Sequence, residues 1–255
     1  MSIKARLIAM SFLQFFVWGS WLISLGGYMI VTLNFTGVEV GSIFSTMGIA
    51  SLFMPAIMGI ISDRFYNAEK VLGFCHIVGA ALLLLASNVT DYPTLYIIML
   101  FNSMFYMPTI ALSNTVSYNA LEKNGLDIVK SFPPIRVWGT IGFIAAMWIV
   151  DILDWTKSPY QLYLSGGSAL LLGLYSFTMP KRPPLKSSDA KSFANSVGLD
   201  AFVLFKSKKM AIFFVFKCSL LPILSPQFLG TCVVSATECP KGSKVIIFML
   251  RIIFP

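Results

Sequence analysis

The sequence predicts an all-α membrane protein, and three observations carry that class. Of its 255 residues, 56% are hydrophobic and only 12% charged, with a mean hydropathy of +0.78, outside the range of soluble domains. The apolar residues gather into runs at about 6–33, 40–62, 71–88, 94–118, 135–154 and 159–179, each long enough to cross ~30 Å of hydrocarbon as a helix. No period-2 alternation with regular turns marks a membrane barrel. Residues 1–179 therefore read as a six-span helical bundle in a lipid bilayer.

The first run is too long for a signal-peptide core and has no following small-residue cleavage site, so it reads as a retained span. Gln14, Trp18 and Trp21 recur at i, i+4 and i+7, while Ser20, Ser24 and Gly27 form a small-residue stripe. An amide beside indole rings suits a polar ring held by stacking and hydrogen bonds. Helix packing with an interfacial tryptophan is the competing reading.

The second run ends in Gly59-Ile-Ile-Ser-Asp63-Arg64. Its glycine permits close packing, and its aspartate can accept hydrogen bonds or complement a helix amino terminus. In the third run, His76 sits among apolar neighbours and reads as a neutral, hydrogen-bonded core residue more readily than as a titrating one. The fourth places Asn102, Tyr106, Thr109 and Ser113 on one stripe, with Pro108 between them removing a helical donor. Lipid solvates such a stripe poorly, so it turns toward a water path or toward interhelical hydrogen bonds.

The fifth run carries the chemistry around which the chain is organised: Ser131-Phe-Pro-Pro-Ile-Arg-Val-Trp-Gly-Thr-Ile-Gly-Phe143. With Pro134 opening the helix, Arg136, Thr140 and Phe143 lie at i, i+4 and i+7 and offer a permanent charge, a hydroxyl and a ring on one face. Gly139, Gly142 and Ala146 form a second, smooth stripe that admits a neighbouring helix. Arg136 either lines a polar cavity or snorkels to the headgroups.

After the sixth run, 180–209 opens with Pro180-Lys-Arg-Pro-Pro184 and reads as a polar, basic linker with an interfacial helix around 197–206. A partial seventh span begins at Met210. Six spans, a basic central loop and the start of another bundle is the layout of transporters built as two halves. Lys4, Arg6, Arg64, Lys70, Lys123, Lys130 and the lysines and arginine of 181–209 fall on one side of the six spans, with only Lys157 on the other. This bias places the amino terminus and the linker in the cytoplasm.

The net charge of +8 does not point to nucleic acid, because the basic residues lie between apolar runs and not along one face. Cys75, Cys218, Cys232 and Cys239 form no CxxC pair and no Cys/His ligand set, so neither metal nor cofactor is expected. No phosphate-binding, zinc-protease or nucleophile-elbow motif supports an ATP-driven pump or an enzyme.

Gly59 to Arg64 resembles the Gly-x-x-x-Asp-Arg loop signature of the major facilitator superfamily, and its basic continuation is reduced here to Phe65-Tyr-Asn-Ala-Glu-Lys70. Ser11-Phe-Leu-Gln-Phe-Phe-Val-Trp-Gly-Ser-Trp21, Phe53-Met-Pro-Ala56, Tyr106-Met-Pro-Thr109, Asp127-Ile-Val, Phe132 to Phe143, Gly198-Leu-Asp-Ala201 and Lys209-Met-Ala-Ile-Phe-Phe214 closely resemble one family within it. That family is the bacterial nucleoside:proton symporters, and the resemblance covers about 1–216. It implies twelve spans in two halves, alternating access, and proton-driven uptake of purine and pyrimidine nucleosides across the inner membrane. It also implies nucleoside contacts at Arg136, Thr140 and Phe143, and a gating role for Gly59, Asp63 and Arg64. Helical geometry adds Gln14, Trp18 and Asn102 to the expected binding set.

Beyond Phe216 the wording changes to Lys217-Cys-Ser-Leu-Leu-Pro-Ile-Leu-Ser-Pro226, which reads as an out-of-frame or alternative ending through 255 that packs poorly. No aspartate or glutamate lies deep in the six runs, so the proton carrier is expected elsewhere. A non-transporting, membrane-anchored binding or scaffold fragment is the alternative expectation.

Overall fold

The computed structural model describes residues 2–181. They form α1 (Ile3–Gly19), α2 (Leu25–Val31), α3 (Gly37–Arg64), α4 (Ala68–Ala86), α5 (Tyr92–Lys123), α6 (Ile128–Ile152) and α7 (Tyr160–Ser176). The linker from 182 onward and the partial seventh span and tail of 210–255 lie outside the described residues.

Side chains at the loops set where several of these helices start. The Ser2 hydroxyl accepts from the Ala5 N–H, Thr36 and Glu39 form a reciprocal capping box, Asp91 accepts from Thr94, and Asp127 accepts from Val129 and Lys130. Gly125, at φ +66°, ends α5 in a left-handed turn, in which the Leu126 N–H reaches back to the Leu121 carbonyl.

The first run is interrupted where a continuous span was expected. Helix α1 stops at Gly19, and α2 resumes at Leu25. Between them the Ser20 hydroxyl bonds the Phe16 carbonyl and the Ser24 hydroxyl bonds Gln161 of α7, so both serines commit their side chains locally or across the bundle. Trp21 falls in this break and not on the α1 face shared by Gln14 and Trp18.

Helices α3 to α6 are each long and apolar enough to cross a membrane. The other two crossings are shorter pieces, since α1 and α7 have 17 residues each. One core cluster joins Leu7, Leu72, Leu121 and Leu172; another joins Trp21, Ile43, Leu83, Met99 and Leu162; Val17, Ala80, Tyr106 and Ala169 pack between. Following these clusters along the chain gives alternating up and down passes. The alternation brings Arg6 to the end of α7, where its guanidinium bonds the Thr178 carbonyl, and brings Lys123 to the Lys181 carbonyl. The basic loops thus share one end of the bundle, and Lys157 lies at the other.

The principal packed pairs are α1 with α6, α4 with α7, α3 with α5 and α4 with α5. The α1–α6 pair meets backbone to backbone, because glycines remove side chains between them. A Cβ on Gly19 would lie 2.5 Å from the Phe143 carbonyl oxygen, and one on Gly142 would collide with the Phe12 backbone. The expected stripe of Gly139, Gly142 and Ala146 is buried against α1.

Candidate functional site

Helix α6 opens at Ile128, not at Pro134. Asp127 supplies the cap, so Pro133 and Pro134 fall inside the helix and withdraw the donors that would reach the carbonyls of Val129 and Lys130. Pro133 then lines a groove of about 420 Å³ together with Phe132, Arg136, Val137 and Thr140. The groove is shallow and open, and all five of these residues belong to α6.

Arg136 is half-buried, and its guanidinium carbon lies 3.8 Å from the centre of the Phe15 ring on α1. Phe15 also faces Gly139, where an added Cβ would come within 2.6 Å of the ring and 2.8 Å of the guanidinium. Gly139 is one turn farther into the span than Arg136, so the side chain reaches inward along α6. Arg136 thus packs along α6 and against α1 while lining the groove. Thr140 is exposed on the same groove, and Phe143 is half-buried one turn on.

Trp18 joins this wall to the interior. Its ring meets Phe143 edge-on at 6.2 Å, Phe15 at 6.3 Å and Tyr106 at 5.9 Å between centroids. Gln14 is fully buried behind it and holds α4 and α5 together: its amide nitrogen donates to the Thr109 hydroxyl at 2.8 Å, and its oxygen meets His76 Nε2 at 2.9 Å. Asn102 is also buried, with its Oδ1 unpartnered among the described residues. The fourth-span stripe thus turns inward, and its Tyr106 and Thr109 serve interhelical hydrogen bonds. Gln14 and Asn102 lie behind the groove, while Arg136 and Thr140 line it.

The loop residues Gly59, Asp63 and Arg64 stand at the basic end. Gly59 has open space around a would-be Cβ, so close packing does not account for it. Asp63 and Arg64 close the last turn of α3, before Asn67 starts α4. Two features escaped sequence reasoning, the Phe15 platform under Arg136 and the His76–Gln14 pair; each joins residues of different spans, and no spacing along one helix links them.

Six alternating helical passes with a charged and aromatic groove define a multi-pass membrane protein of the transporter class, the six-helix half of a major facilitator fold. The chain belongs to the nucleoside H+ symporter family, whose model matches residues 1–234. That match runs past Phe216, where the resemblance had been expected to stop. The chain is 53% identical over 224 residues to the xanthosine permease of Escherichia coli (strain K12), covering 88% of this chain and 54% of the relative. It is 47% identical over 220 residues to the nucleoside permease NupG of the same strain, covering 86% and 53%. The crystal structure of the nucleoside transporter NupG (D323A mutant) aligns with a TM-score of 0.81 at 46% identity, covering 89% of this chain and 57% of that one. The chain spans about half the length of the curated relatives it matches.

Proposed function

We propose that this chain contributes the nucleoside-binding wall of a nucleoside:proton symporter that takes up purine and pyrimidine nucleosides across the inner membrane, with its amino terminus cytoplasmic. One observation carries the reading: a half-buried guanidinium held against Phe15 of α1 shares a groove with the Thr140 hydroxyl. The guanidinium and the hydroxyl donate to nucleobase or ribose oxygens, and Phe143 and Trp18 supply rings for the base. Gln14 and Asn102 support that wall from behind. Gly59, Asp63 and Arg64 form the cytoplasmic gating loop.

A second reading, a membrane-anchored binding fragment that moves no solute, draws on the placement of the acids. Among the described helices, Glu39, Asp63, Glu69, Glu122 and Asp151 all lie in first or last turns. Proton coupling needs a group whose protonation follows the conformational state.

Equilibrium binding of tritiated uridine and adenosine to the purified chain, alongside uptake into proteoliposomes with and without a pH gradient, separates the two. Gradient-dependent uptake supports the symporter. Binding without uptake, restored to uptake by a complete second half, supports the binding wall alone. Absence of saturable binding in both the chain and the completed protein overturns the nucleoside reading.

A further inference from the structure

Behind the groove lies a closed hydrogen-bonded circuit whose directions are fixed by chemistry. The Thr109 hydroxyl donates to the Tyr106 carbonyl at 2.5 Å, so its oxygen is left to accept from the Gln14 amide nitrogen at 2.8 Å. The Gln14 oxygen must then be the acceptor facing His76, 2.9 Å away, which places the imidazole proton on Nε2. The Tyr106 hydroxyl closes the circuit by donating to the Gln14 carbonyl at 2.7 Å. His76 is 2% exposed, Gln14 and Thr109 0% and Tyr106 5%, so water does not substitute for any of these partners.

The circuit continues outward as ring contacts. His76 meets Tyr106 edge-on at 6.0 Å, Tyr106 meets Trp18 at 5.9 Å, and Trp18 meets Phe143 at 6.2 Å. The buried Trp18 indole nitrogen has no hydrogen-bond partner among the described residues. Trp18 is therefore oriented by packing, against Phe15, Phe143 and Tyr106 and the aliphatic core around them, and Tyr106 is the neighbour tied to the histidine.

We propose that His76 is a positioning residue for the groove: by donating Nε2–H to Gln14 and bracing Tyr106, it sets the angle at which Trp18 meets Phe143. A histidine that merely filled space would be replaced equally well by leucine. A histidine that acts through its Nε2 proton is replaced by glutamine, whose side-chain amide carries a donor at similar reach.

The test uses the whole chain in detergent, labelled with 15N at its tryptophan indoles, with the Trp18 signal assigned by its loss in Trp18→Phe. His76→Leu is expected to move the Trp18 indole resonance and to weaken uridine binding about threefold to tenfold, the worth of one neutral hydrogen bond. His76→Gln is expected to leave the resonance in place and to restore affinity. Thr109→Val removes the far anchor of the same amide without touching the histidine, and is expected to move the Trp18 signal in the same direction. If Trp18 is unmoved in both His76→Leu and Thr109→Val, or if His76→Gln behaves as His76→Leu, the positioning role is wrong. The affinity arm rests on the nucleoside reading. Should the unaltered chain bind no uridine, that reading fails by itself, and the indole resonance still decides the role of His76.

Discussion

The Arg136 guanidinium stacks on the face of Phe15, 3.8 Å from the ring centre, and thereby lies between α1 and α6 at the level of Gly139. A partly desolvated cation over an aromatic face gains on the order of 2 kcal/mol. The platform positions the charge and leaves its outer N–H groups to the groove. Arg136→Ala is expected to weaken nucleoside binding by about tenfold to a hundredfold, the range for hydrogen bonds to a charged group. Arg136→Lys should recover little, because an ammonium lacks the planar fork that both stacks and donates. Equilibrium binding checks both, and unchanged affinity in Arg136→Ala would remove this residue from the site.

Glycines on two sides of the molecule should respond oppositely to the same methyl group. At Gly139 and Gly142 an added Cβ meets Phe15, Arg136 and the Phe12 backbone. Alanine there is expected to cost about 1–3 kcal/mol through overpacking. At Gly48 and Gly59 a Cβ meets nothing within 4 Å. Alanine there should be neutral or stabilising by up to about 1 kcal/mol, from helix propensity. Thermal unfolding in one detergent, comparing all four variants, gives the ranking.

The amino terminus of α5 should lose stability in acid. Asp91 caps that helix, and the hydroxyl and backbone N–H of Thr94 hold its carboxyl below the ordinary aspartate value of 3.8. A depressed folded value means that the stabilisation is present above the unfolded value and is lost as pH falls through the folded one. Unfolding measured from neutrality to below about pH 4 should therefore show a smaller acid loss in Asp91→Asn than in the unaltered chain, since asparagine caps without titrating. An equal acid loss in both would assign the effect elsewhere.

Orientation is open to direct labelling. With the amino terminus cytoplasmic, a cysteine at Lys157 should react with a membrane-impermeant maleimide in intact cells. One at Lys70 should react only after permeabilisation. The reverse pattern would invert the topology that the distribution of basic residues predicts.

What the sequence disclosed and withheld has a common physical basis. Spacing along one helix is visible in the residues, so Gly139, Gly142 and Ala146 could be placed on a packing face, and Arg136 with Thr140 on a groove. Breaks decided by side-chain commitments are not visible in hydropathy. The interruption between Gly19 and Leu25 is one such break; another is the start of α6 at Ile128, which Asp127 sets despite two downstream prolines. Pairings across the bundle leave still less trace. Gln14 and His76 stand 62 residues apart, and neither codes for the other; the polar stripe on α5 could be read equally as water-facing or partner-facing until α1 and α4 were brought against it.

The bare backbone contact between Gly19 and Phe143, repeated between Phe12 and Gly142, leaves no side-chain cushion along which α1 and α6 could slip. Turning either helix against the other would drive backbone into backbone at both points. Trp18 and Arg136 are mounted on the two members of this locked pair. Their side chains are therefore registered to each other by backbone, and a single methyl group at Gly19 or Gly142 would reset both.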